Sequence, residues 1–179
     1  PIFFVHPKDM QDGKIPVSAA DISTNLPYVP GIYAAFDHHA SEGKRNADRA
    51  SNHIIDVNAP SAARVVYDFF GGREAFPRIN PDMMLAVDKA DAARFTRDDV
   101  LDARGWELLS FMMDARTGLG RFREFRISNY QLMMELIDHC LDMSIEEILA
   151  HPALSKWKYV LTVEEDNLIP PTALLDLIR

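Results

Sequence analysis

The densest chemistry in this 179-residue chain lies at the end of an apolar run, where GIYAAFDHHASEG places Asp37, His38 and His39 in succession. An acid and two imidazoles after a buried strand bring oxygen and nitrogen ligands to the carboxyl edge of a parallel sheet, where open α/β folds keep their sites. Such a set suits Mn²⁺, Zn²⁺ or Fe, with Asp37 able to orient a ligating imidazole. A polar turn closing a strand is the other reading, and the tripeptide alone leaves both open. Asp88 and Asp91 in VDKADAARF lie three apart, so on a helix they share a face and repel. Their flanks, MMLAV and AARF, are apolar, a setting in which unpaired charge is expensive and a cation relieves the cost. Asp21, after VSAA, reads as a further carboxylate delivered at a strand end. Arg116, Arg121 and Arg123 in ARTGLGRFREF stand around a Gly-x-Gly and could hold an anion, although a solvated basic loop is the commoner meaning of such a cluster.

These residues must be positioned by strands early in the chain and helices after them. PIFFV and GIYAAF are short β-rich runs stopped by polar residues, and NHIIDV is a weaker third. Between the first two, Pro, Gly, Asp and Asn predict loop. The period then changes. APSAARVVYDFFGG is a punctuated helix, with Pro60-Ser61 at its head and a Gly pair behind it. NPDMMLAVDKADAARF, GWELLSFMMDA and SNYQLMMELIDHCLD predict three more helices, and Ser144 with Glu147 matches a capping box opening a short one. KWKYVLTVEEDNLIPPTALLDLIR is ambiguous between strand and helix. The order predicts an α/β fold: a mainly parallel sheet with crossover helices and a helical C-terminal layer.

A net charge of −8 argues against binding duplex nucleic acid, yet it leaves room for a small anionic substrate beside a bound cation. Cys140 is the only cysteine, so no internal disulfide forms and a reducing compartment is the default. No apolar run is long enough to span a bilayer, and the expectation is a cytoplasmic protein. His53 and His139 read as packed or surface histidines, the Met pairs as core filler, and Cys140 as buried and inert. His6 follows a strand and could approach the site, although its position argues against a ligand.

Taken together and in order, FVHPKDMQDGKIPVSAADISTNLPYVPG, FDHHASE, PSAARVVYDFF, AVDKADAARF and RTGLGRFREFRISNYQLMMELIDHC resemble the DHH phosphoesterases, specifically their exopolyphosphatase-related (DHH-like) group. The resemblance covers the chain up to Ala150. It implies a DHH-like domain over 1–150, incomplete at its N-terminus, and a divergent segment over 151–179. It implies hydrolysis of phosphodiester or phosphoanhydride bonds with a pair of divalent metals, Mn²⁺ first and Mg²⁺ as the alternative. By the same resemblance Asp21, His38, Asp91 and Asp88 form the metal set. His39 and Asp37 are the catalytic pair, His39 facing the substrate phosphate and Asp37 buttressing the imidazoles. His39, Arg116, Arg121 and Arg123 would contact phosphate. The implied substrate is polyphosphate, a short oligonucleotide or a dinucleotide, with no duplex nucleic acid and no membrane.

Two family features have no counterpart in the chain. The Asp-x-Asp first motif should precede PIFFVHP, and the Gly-rich C-terminal substrate-binding domain should follow. The expectation is a fragment that is weakly active or inactive by itself. A non-catalytic metal- or phosphate-binding or interaction module that has lost the first motif is the alternative. Asp21, His38 and Asp91 are expected to converge. A strand edge left open before Pro1 is expected to recruit KWKYVLTV or a second copy of the chain, giving a homodimer.

Overall fold

The structure, a computed structural model, describes residues 1–45, 50–114 and 128–150. Three short strands, β1 (Ile22–Thr24), β2 (Ala34–Asp37) and β3 (His53–Ile55), form an all-parallel sheet in the order β1-β2-β3. The register sets Ile22 beside Ala34 and Thr24 beside Phe36, and then Ala35 beside His53 and Asp37 beside Ile55. All four β2 residues are buried, which is why this central strand reads as an unbroken apolar run. The architecture is α/β with a small parallel sheet and several helices, as the order of elements predicts.

Two differences from the sequence expectation concern the strands. PIFFV forms no strand: Ile2, Phe3 and Phe4 are exposed, and regular structure begins only with α1 (Pro7–Gln11), capped by the His6 side chain. β1 arises instead inside a stretch read as loop. It escapes notice because its pattern is inverted, with Ser23 buried between exposed Ile22 and Thr24. Hydrogen bonding to β2, not side-chain pattern, makes it a strand.

By contact the described chain falls into two compact units. The first, Pro1–Pro77 with Val87–Arg94, is built on the sheet. Ala35 packs on one face of it with Met10 and Ile32, supported by Val5, Ile15, Val17, Tyr28 and Val29. Ala34 and Phe36 face the other way, onto Val65 of α3 (Ala62–Phe69). Ser61 caps α3 by accepting a hydrogen bond from the Arg64 amide, and the chain leaves α3 through Gly71 and Gly72, both at positive φ. α2 (Ala40–Arg45) follows the two histidines directly. The first unit also takes in the end of α4 (Pro81–Asp91) and runs on to Arg94.

The second unit, Arg78–Ala86 with Phe95–Arg179, is helical where described. α5 (Arg97–Leu101) opens on a Thr96–Asp99 capping box. α6 (Gly105–Met113), α7 (Asn129–Asp142) and α8 (Ile145–Ala150) then enclose Leu109, Met112, Leu132, Leu136 and Ile148. α7 opens on a Ser128–Gln131 capping box, and the expected Ser144–Glu147 box forms before α8. Cys140 is half-buried against this core, and desolvation raises its thiol pKa, which keeps it a poor nucleophile. The segment 151–179, with KWKYVLTV, lies outside the described residues. No helix among the described residues is long and apolar enough to cross a membrane.

Candidate metal site

β2 ends in Asp37, and the chain turns at once through His38 and His39 into α2. Asp37 is 1% exposed, and one of its oxygens organises the turn. Oδ1 accepts the His38 amide at 2.7 Å, the His39 amide at 3.3 Å and the His39 ring Nδ1–H at 2.7 Å. A carboxylate accepting several N–H groups is a strong, charge-assisted anchor, so both imidazoles leave the strand in fixed directions. His39 is half-exposed, and with Nδ1 tied to Asp37 its Nε2 is the atom free to meet a ligand.

His38 is held from another side. Its Nδ1 lies 3.2 Å from the carbonyl oxygen of Ala59, which can only accept, so Nδ1 carries the proton. Neutral His38 therefore has its lone pair on Nε2, a buried atom with no hydrogen-bond partner among the described residues. The atom in front of it is Asp91 Oδ2, 3.2 Å away. Two lone-pair atoms that close repel unless a cation, either a proton or a metal ion, lies between or beside them. The spacing is also a metal bite: bonds of about 2.1 Å meeting at about 100° hold two ligand atoms about 3.2 Å apart. An imidazole with its far nitrogen tied to a carbonyl, facing a carboxylate, is a donor set that fits a divalent transition metal.

Asp91 is positioned from α3. Its Oδ2 accepts the Ala62 amide at 3.2 Å, at the N-terminus of that helix, where unpaired N–H groups favour an anion. Asp88, one turn earlier on α4, has a different fate from the one expected of it. Ser61 Oγ donates to its Oδ1 at 2.7 Å, while Arg64 donates to its Oδ2 through Nε at 3.0 Å and Nη2 at 2.5 Å. The hydrogen bonds from Arg64 and Ser61 engage both oxygens, so the cation that relieves Asp88 is a guanidinium of this chain. The Asp88 hydrogen bond, ahead of its charge, in turn raises the Arg64 pKa.

Asp21 is not brought to His38. It precedes β1, its carbonyl accepting the Tyr33 amide just ahead of β2, so it stands at the amino edge of the sheet. His38 stands at the carboxyl edge. The Asp21 carboxylate closes a local turn on the Ser18 amide and hydroxyl. Of the three residues expected to converge, His38 and Asp91 do. No group of three His, Cys, Asp or Glu side chains among the described residues could hold a metal ion. Arg116, Arg121 and Arg123 lie outside the described residues.

One acid at the right edge escaped the sequence reading. Asp56 directly follows β3, and its amide donates to the carbonyl of Asp37, the last residue of β2, at 3.2 Å, which continues the ladder to the carboxyl edge. Its exposed side chain accepts the Asn58 amide at 2.9 Å. The signal was available in NHIID, an apolar run closed by an acid.

No family model matches the chain, and no curated protein matches it. Among solved structures it is similar to a pGpG-specific phosphodiesterase, PggH, from Vibrio cholerae. The two superpose with a TM-score of 0.75 at 58% identity, over 86% of this chain and 48% of that one. The chain thus spans about half the length of that enzyme.

Proposed function

We propose that this chain is the metal-binding part of a phosphodiester hydrolase of the DHH type, acting on a short guanine dinucleotide such as pGpG. The carrying observation is the buried His38 Nε2 facing Asp91 Oδ2 with its tautomer set by Ala59. A likeness at 58% identity to a pGpG-specific phosphodiesterase narrows the substrate from the polyphosphates, oligonucleotides and dinucleotides that the sequence leaves open. His38 and Asp91 would hold the ion, for which Mn²⁺ is the first candidate. A divalent ion there supplies a Lewis acid that polarises the phosphodiester and activates water.

The chain's own groups do the rest. Ala59 and Asp37 hold the two imidazoles in single orientations. His39 presents Nε2 outward, where it can bond a phosphate oxygen, and Asp37 stabilises the charge that His39 gains when it carries a proton on both nitrogens. Two ligand atoms hold an ion weakly, so the 179-residue chain alone should bind Mn²⁺ poorly and turn over little substrate.

The test is Mn²⁺ binding by calorimetry, with hydrolysis of pGpG followed in the natural protein that carries this chain. His38→Ala and Asp91→Ala should each remove binding and lower hydrolysis by about 10²-fold or more. Full Mn²⁺-dependent hydrolysis in His38→Ala would overturn the assignment. Retained Mn²⁺ binding without turnover of any phosphodiester would favour the non-catalytic metal-binding module instead.

A further inference from the structure

We infer that the Ser61–Asp88–Arg64 linkage is a positioning device for the metal site, with Arg64 and Asp88 setting where Asp91 sits without touching the ion. This rests on the reading of His38 and Asp91 as metal ligands. The problem it answers is mechanical. Asp91 is the last residue of α4, and two residues later Ala93 reverses the chain at φ +52°. Helix ends fray, and a ligand displaced by 1 Å no longer offers the 3.2 Å bite to His38.

The six residues from Ala59 to Arg64 supply the template. Ala59 holds the far nitrogen of His38, and Ala62 donates its amide to the same Asp91 oxygen that faces the imidazole. These two contacts fix the ligands one at a time. Ser61 and Arg64 fix the helix turn that carries Asp91, because Asp88 precedes it by three residues and is gripped on both oxygens. The grip is itself braced: the Arg64 amide donates to Ser61 Oγ, and its guanidinium lies 5.4 Å from the centre of the Tyr67 ring. One short stretch of backbone therefore references both sides of the His38–Asp91 gap to the start of α3.

Arg64 also keeps the charges sorted. Without it, a largely buried Asp88 carboxylate stands three residues from Asp91 and has lost its guanidinium partner. It would then turn α4 towards solvent or compete for the ion. With Arg64 in place Asp88 is neutralised, and Asp91 is left as the acid that faces His38.

The test measures Mn²⁺ affinity by titration calorimetry in the natural protein that carries this chain, for wild type, Arg64→Met, Arg64→Lys, Asp88→Asn and Val65→Ala, each with its thermal midpoint. Arg64→Met and Asp88→Asn should lose roughly 10- to 100-fold in affinity, the range seen when groups behind metal ligands are removed. Arg64→Lys should recover part of that loss, because it restores one charged donor. Val65→Ala, a cavity under the same helix, should lower the midpoint and leave affinity within about 2-fold, since it changes stability and not the linkage. If Arg64→Met does not fold, Asp88→Asn and Arg64→Lys carry the comparison.

The positioning role falls if Arg64→Met and Asp88→Asn bind within 2-fold of wild type, or if Val65→Ala loses as much affinity as they do at a matched midpoint. A wild-type natural protein that binds no Mn²⁺, or His38→Ala in it binding as well as wild type, would instead overturn the metal site itself.

Discussion

Asp37→Asn isolates what a negative charge contributes at the turn after β2. The carboxamide oxygen can take the place of Oδ1 and still accept the His38 amide and the His39 ring N–H, each now 2.7 Å from it. Shape is nearly kept and charge is lost. A hydrogen bond to a charged group contributes about 1.5–3 kcal/mol and a neutral one about 0.5–1.5, so two short bonds lose about 2–3 kcal/mol together. The third, at 3.3 Å, is too long to add much. For a chain of this size that loss should lower the midpoint by about 4–12 °C in calorimetry.

The second readout is the His39 ring. In wild type the nitrogen-15 spectrum should show one tautomer protonated at Nδ1, because Asp37 is an acceptor only. Asp37→Asn can present either its oxygen or its amine to the ring, so the tautomers should mix. His39→Ala removes one of the short bonds outright, a loss of about 1.5–3 kcal/mol that overlaps the cost of Asp37→Asn. A midpoint within about 2 °C of wild type together with an unchanged His39 tautomer would refute the reasoning, since the charge would then do nothing at this turn.

Three further outcomes follow from other parts of the fold. His53 is buried at the start of β3 with both ring nitrogens unpartnered among the described residues, stacked 5.0 Å from Tyr28. His53→Phe keeps the stack and removes two stranded polar atoms, so it should stabilise the chain by about 1–2 kcal/mol in urea unfolding, and a loss of stability would mean that those nitrogens have a partner. Gly72 sits at φ +61° with the Tyr67 ring 3.3 Å from where a Cβ would stand, so Gly72→Ala should cost about 1 kcal/mol or more, and a neutral result would show that the turn can relax. Glu147, held below its usual pKa by the backbone and side-chain bonds of Ser144, supports α8 at neutral pH and loses that support as pH falls through its lowered folded value. Amide exchange over 145–148 should therefore quicken in acid in wild type and be pH-insensitive in Glu147→Gln, after correction for the intrinsic rate.

Much of the fold was legible because burial writes itself into sequence. β2 is buried on both faces and reads as an apolar run. α3 carries its own start and stop in Ser61 and the Gly71-Gly72 pair, and the Ser144 cap reads directly from residue types. What was illegible is structure made by partners rather than pattern. β1 is three residues long with its one buried side chain a serine, so nothing local marks it. PIFFV has the opposite character, with every local mark of a strand and no strand beside it among the described residues. An apolar alternation states a preference, and a ladder needs a neighbour.

The same distinction runs through the site. Asp21 was expected at the end of a strand that had not been recognised, and once β1 begins at Ile22 that acid falls at its start, on the wrong edge of the sheet. Asp88 was expected to want a cation, which was sound chemistry, but its cation is Arg64, 24 residues earlier, where spacing offers no hint. Our proposal on the opening ambiguity over Asp-His-His, a metal site or a solvated turn, rests on two atoms. A solvated turn would let water reach His38 Nε2 and would set no carboxylate before it. Here that nitrogen is buried and faces an Asp91 oxygen that the Ala62 amide holds in place, while the Ala59 carbonyl accepts from Nδ1 on the far side of the ring. Leaving such a pair without a cation costs free energy that a folded chain has little of to spare, and that cost is the ground on which we propose a metal ion there.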